Sequence, residues 1–172
     1  AALCFWVPTS ANANCVILLH GLARSDNSMN KMQKHLKDEG YSVVNVDYPS
    51  TEYPIEYLAE KAIGENLNKC TEDEPINFVT HSLGVILVRQ YLSNDDIPNL
   101  GRVVMLGPPN KGSEVVDKLG KFPGFHFING DAGLQLGTGE MSIPNKLGKA
   151  DFDVGIIAGT RSVNLILSSL IP

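Results

Sequence analysis

Five short apolar runs, each followed by a turn and then a stretch of helical periodicity, limit what this chain can fold into. They are "CVILLH" (15–20), "YSVVNVD" (41–47), "INFVT" (76–80), "RVVML" (102–106) and "VGIIAG" (154–159). A nearly continuous apolar run of this length marks a strand buried on both faces. Between the runs, Met29, Met32 and Leu36 recur at helical spacing, with Gly40 as the stop signal. Ile55, Leu58, Ala59, Ala62, Ile63 and Leu67 follow the 3.6-residue period, which predicts an amphipathic helix over 55–69. Leu83, Ile86, Leu87 and Tyr91 form a third stripe. Strands alternating with helices predict an α/β fold with a mostly parallel sheet and helices on both faces, because right-handed crossovers leave few other arrangements.

The chain of 172 residues fits one domain and is long enough to bury a core. Its net charge of −5, without a run of Lys or Arg, argues against a nucleic-acid partner or an anionic membrane surface. No apolar segment has the length to span a bilayer, so stable membrane insertion is not expected. Residues 107–152 are rich in Gly and Pro and only weakly periodic, too long for a plain connection; a cap-like insertion with short helices is expected at about 108–152. Residues 1–13 read either as the remnant of a secretory signal or as an N-terminal extension forming a short first strand. The signal reading implies a secreted or periplasmic protein; the other leaves the cytoplasm open. Cys15 opens the first strand and Cys70 ends the helix that runs back along the sheet, so the two are expected near one another, compatible with a disulfide.

The chemistry is concentrated at "THSLG" (80–84), where Ser82 sits between the third strand and the helix that follows. In a parallel sheet, ligands bind at the edge where strand C-termini meet. A serine on so tight a turn is pushed out of the sheet, and the residues two before and two after must be small. Gly84 meets that requirement, whereas Thr80 is bulkier than the site prefers. Taken alone, the motif fits a helix N-cap serine as well as a nucleophile. The "HGL" of residues 20–22 separates the two readings. Acyl transfer needs donors aimed at the oxygen that turns negative, and Gly21 allows the chain to turn so that the amide of Leu22 faces the site. The amide of Leu83, at a helix N-terminus, is the second candidate donor.

With these motifs the chain resembles the α/β-hydrolase superfamily, in particular its small bacterial lipase-like and esterase-like members. "VVNVDYPS", "RVVMLGPPNKGSEVV" and "GIIAGTRS" extend the resemblance over roughly residues 14–162. It implies a serine hydrolase that cleaves carboxylic esters, small-molecule or lipid, through an acyl-enzyme, with Ser82 as catalytic nucleophile and the Leu22 and Leu83 amides as the oxyanion hole. It implies no cofactor and no metal. Val85 stands where such proteins often carry a second glycine. The family order is nucleophile, acid, then histidine. No acidic residue follows Asp153, so the pattern's last strand and helix, with the acid and the histidine, are expected beyond Pro172. Among the histidines, His81 and His20 are expected to serve structure and His35 to be solvated; His126, in the cap, is the one that follows the serine. Glu114 and Asp117 fit a solvated first helical turn and Asp47 the ordering of its loop. Apolar cap residues (Phe122, Phe125, Phe127, Ile128, Leu134, Leu136) would line either an acyl pocket or the cap's own core. Two alternatives stay open: a non-catalytic binding protein of the same fold, and an acyltransferase using the same serine.

Overall fold

The computed structural model describes residues 14–120 and 124–159. Five strands form one parallel sheet: β1 (Cys15–Leu19), β2 (Ser42–Val46), β3 (Ile76–His81), β4 (Leu100–Leu106) and β5 (Val154–Ile157), in the order β2-β1-β3-β4-β5. The five strands are those expected, each within a few residues. The first 13 residues and those from 160 onward lie outside the described residues, as does Phe122.

The period-two geometry of a strand divides β1 between two cores. Cys15, Ile17 and Leu19 face α2 (Ile55–Ala62) and α3 (Leu83–Leu92), within the larger cluster. Val16 and Leu18 face α1 (Asn30–Asp38), packing with Met29, Met32 and Leu36. Helices therefore cover both faces, which is why β1 reads as unbroken hydrocarbon. β5 is different: it is the last strand of the described sheet on that side, and Val154, Ile156 and Ile157 are exposed among the described residues.

The α1 helix ends as its sequence requires. Gly40 takes a φ of +88°, and the Tyr41 amide reaches back to the Leu36 carbonyl, satisfying an orphan acceptor. The helix expected over 55–69 is instead α2 followed by a 3-10 segment, Gly64–Lys69. The hydrophobic period survives the change, but the α-hydrogen bonding stops at Ile63, next to the weak helix former Gly64. The Asn66 amide takes up the freed carbonyls of Lys61 and Ala62.

Residues 108–152 carry three short helical segments, α4 (Glu114–Leu119), α5 (Phe125–Gln135, kinked at Gly130, where φ is +61° and ψ −166°) and α6 (Ile143–Lys146). Two polar anchors hold this segment to the sheet domain. Gln135 caps α2: its Oε1 accepts from the Ile55 amide at 2.7 Å and its Nε2 donates to Glu56 at 3.0 Å. Buried Arg89 donates to the Asn110 side chain and to the carbonyls of Asn110, Pro144 and Gly148, at 2.6–3.4 Å. Burial lowers its pKa from the ordinary arginine value. Leu136 is buried in the larger core, whereas Leu134 is exposed.

Cys15 and Cys70 form a disulfide that ties the N-terminal edge of β1 to the end of the 3-10 segment, with Cα atoms 5.8 Å apart. It closes a loop with a sequence separation of 55, which constrains the unfolded chain. The double variant Cys15→Ser, Cys70→Ser is expected to lose about 4 kcal/mol of unfolding free energy. Urea melts of the oxidised wild type and the variant measure this, and equal midpoints would refute it.

Candidate active site

The turn from β3 to α3 carries a strained backbone. Ser82 has φ +50° and ψ −110°, a conformation that L-residues with side chains avoid. Its side chain makes no capping hydrogen bond to α3, which removes the N-cap explanation. The turn is held from the sheet side, where the Ser82 amide donates to the Leu106 carbonyl at 3.1 Å. Thr80 is fully buried and its hydroxyl donates to the Val104 carbonyl on β4, so the bulk of a threonine fits with its polar atom satisfied. Val85 is buried in the larger core.

Gly84 is required by space. A Cβ there would lie 2.8 Å from the Leu19 Cβ and carbonyl oxygen and 3.0 Å from the His20 carbonyl oxygen. The first turn of α3 thus sits directly on the end of β1, bringing Ser82 to the His20–Leu22 turn. Gly21 is also a matter of space: its Cβ would meet His81 Nδ1 at 2.8 Å and Ser82 Cβ at 3.4 Å. The left-handed residue in this turn is Ala23 instead, at φ +52°. Ala23 and Ser82 are the only non-glycine residues with positive φ among those described, and they stand on the two facing turns.

Leu22 follows Gly21 and packs partly buried against the larger core. Its amide donates to no described backbone or side-chain acceptor. Leu83 begins α3 and is fully buried, and its amide is among the orphan donors of a helix start. The Leu22 and Leu83 N–H groups therefore have no assigned internal partner among the described residues.

His20 is fully buried and its tautomer is set by its neighbours. Nδ1 lies 2.9 Å from the Gly21 carbonyl, which can only accept, so Nδ1 carries the proton. Nε2 then accepts from the Tyr48 amide at 3.4 Å. The ring stacks on Tyr48 at 4.0 Å between centroids, and the Tyr48 hydroxyl donates to the His20 carbonyl. Burial lowers the His20 pKa below its ordinary value, against the opposing pull of the Gly21 bond, Asp47 and Asp26. The 3.7 Å approach to Asp47 is therefore a contact of a neutral ring. Burial likewise pushes the Tyr48 phenol well above its ordinary range. His20 shapes the turn, as expected of it.

The remaining candidates are dispersed. The His81 ring is exposed at the rim, leaning on Gly21, rather than packed inside; partial burial, then Arg24, then His20 lower its pKa. Asp47 accepts weakly from the Asp26 amide at 3.4 Å and so orders its loop. Asp117 takes the amide and hydroxyl of Thr138, and Glu114 lies 3.8 Å from Lys118. Neither is hydrogen-bonded to Ser82. The side chains of Phe125, His126, Phe127 and Ile128 lie outside the described residues. Sequence reasoning missed Tyr48 and Ser50, whose hydroxyl accepts from the Ala23 amide at 3.1 Å. "VDYPS" stood among the family-like stretches, but nothing in it says that two hydroxyls turn back onto the turn after β1.

Beside this turn lies an open cavity of about 510 Å³ lined by Ala23, Arg24, Asp47 and residues 48–52. Among the described residues there is no metal-binding cluster and no helix long and apolar enough to cross a membrane.

No protein-family model and no curated protein matches this chain. Solved structures do. Phospholipase PlaB from Legionella pneumophila aligns with a TM-score of 0.62 at 19% identity, over 85% of this chain and 38% of its own. A lipase from Bacillus licheniformis in its mature form gives 0.58 at 21%, over 77% and 58%. An esterase from Exiguobacterium antarcticum gives 0.51 at 23%, over 63% and 47%. The chain has the α/β-hydrolase fold, with a partial, five-stranded parallel sheet. It spans less than two thirds of the length of each of these neighbours.

Two outcomes test the geometry. Gly84→Ala should destabilise the protein by about 1–3 kcal/mol, since backbone and a core side chain must move; a melting curve unchanged from wild type would refute the contact. The His20 ring takes a proton less readily when folded than when unfolded. Its contribution to stability is therefore complete above about pH 6.5 and is lost as pH falls below it. His81 acts with the same sign. The thermal midpoint should drop between about pH 7.5 and 5.5, and drop less in His20→Asn; identical drops would clear the ring.

Proposed function

We propose that this chain is the nucleophile-bearing part of a serine hydrolase that cleaves carboxylic esters through an acyl-enzyme on Ser82. The observation that carries the reading is the left-handed backbone of Ser82 at the head of α3, with its hydroxyl unused as a cap. Backbone strain of this kind costs about 1–3 kcal/mol and persists where surrounding structure enforces it. It lifts a side chain off the sheet edge, which is the use an attacking hydroxyl has for it.

The chemistry follows from the arrangement. Ser82 Oγ attacks the ester carbonyl carbon while a general base takes its proton. The carbonyl oxygen becomes negative and is met by the Leu22 and Leu83 amides, the second also favoured by the positive end of α3. Collapse expels the alcohol, which takes the proton from the base, and water reverses the sequence on the acyl-enzyme. By chain order, the acid and the histidine base follow β5. The phospholipase, lipase and esterase among the structural neighbours support an ester as substrate, and residues 108–152 act as a cap-like insertion. The Cys15–Cys70 disulfide supports a secreted or periplasmic location.

The test is labelling of the full-length protein by a fluorophosphonate probe. Wild type should label at Ser82 and Ser82→Ala should not. Absence of labelling in folded wild type would favour the non-catalytic binding protein. Labelling with turnover only when an alcohol or thiol acceptor is supplied would favour the acyltransferase.

A further inference from the structure

The oxyanion turn is held at three successive peptide units, and two of the three grips come from the segment after β2. The peptide joining His20 to Gly21 is held through its carbonyl by the Tyr48 hydroxyl. The next, joining Gly21 to Leu22, is held through its carbonyl by His20 Nδ1 at 2.9 Å. The third, joining Leu22 to Ala23, is held through its N–H by the Ser50 hydroxyl at 3.1 Å. In a trans peptide the C=O and N–H point in opposite directions. With the Gly21 carbonyl turned to the buried His20 ring, the Leu22 N–H of the same unit points away from it. Ser82 stands next to Gly21, its Cβ 3.4 Å from where a side chain at position 21 would begin. The Leu22 N–H, the middle one of these three units, donates to no described acceptor.

We propose that Tyr48 and Ser50 are positioning residues for the oxyanion hole, fixing the Leu22 N–H through the peptides on either side of it. This rests on the ester-hydrolase reading above. Both side chains are buried, at 4% exposure each, and come from the segment after β2. The turn between them is compact: the Ser50 amide donates to the Tyr48 carbonyl at 2.8 Å, so the two hydroxyls move as a unit. Ala23 needs such a restraint, because its left-handed conformation is one that alanine does not hold unaided. Donors aimed in advance at the developing charge lower the barrier, whereas donors that must be reoriented during reaction do not. The effect therefore belongs to the transition state and not to substrate binding.

The experiment compares Tyr48→Phe and Ser50→Ala with wild type and Ser82→Ala, all in the full-length protein on a chromogenic ester. Each positioning variant should lower kcat by about tenfold with KM within about twofold. A trifluoromethyl ketone, whose adduct on Ser82 carries an oxyanion, should bind each variant more weakly by the factor lost in kcat/KM. A purely structural role would lower the thermal midpoint without moving this inhibitor ratio. If Tyr48→Phe does not fold, Ser50→Ala decides. Wild-type kcat and inhibitor affinity in folded Ser50→Ala, with Ser82→Ala inactive, overturn the positioning role alone. Wild-type turnover in Ser82→Ala overturns the hydrolase reading and this proposal with it.

Discussion

The arrangement at this sheet edge depends on how closely α3 can approach β1. At Gly84 the helix backbone lies where a methyl group would overlap Leu19, and that proximity brings the Ser82 turn against the His20–Leu22 turn. The strain at Ser82 follows from it. A chain that must leave β3, pass Ser82 and start a helix resting on the neighbouring strand has no room for an ordinary backbone conformation. The sheet supplies the restraint through the Ser82 amide bond to Leu106 and the buried Thr80 hydroxyl on Val104. Packing on the α3 side does the rest, since Leu83 and residues 85–88 are all buried without exposure.

Much of this was legible in the sequence because it is written in periodicity. Unbroken apolar runs such as "CVILL" announce a strand covered on both sides, and a serine between such a strand and a helical stripe announces the elbow. The reasons for individual residues were less legible. Gly21 reads as a residue chosen for conformational freedom, yet its neighbours His81 and Ser82 demand only its lack of a side chain, and the left-handed turn falls on Ala23. His81 reads as a packed residue and is exposed. The 55–69 helix kept its hydrophobic face but changed its hydrogen bonding at Gly64, because a stripe of apolar residues reports which side is buried and not which carbonyl each amide meets. Tyr48, Ser50, Gln135 and Arg89 act through contacts spanning 21 to 80 residues, and no local pattern encodes those.

Polar chemistry is divided between the two ends of the sheet. At the N-terminal edge the Cys15–Cys70 link fixes the start of β1 covalently. At the C-terminal edge the same strand runs into a turn held only by hydrogen bonds, with one buried neutral imidazole at its centre. β1 is thus attached covalently at its start and through directional polar contacts just past its end.

The bond from Gln135 to the start of α2 has a mechanical consequence. Pro54 precedes that helix and brings no side-chain acceptor, so the Ile55 amide relies on a glutamine 80 positions later. If the three short helices were to swing outward as a body, α2 would lose its terminal hydrogen bond at the same moment and begin to unwind from that end. The start of the second helix and the segment carrying Gln135 are thus mechanically coupled through this one bond.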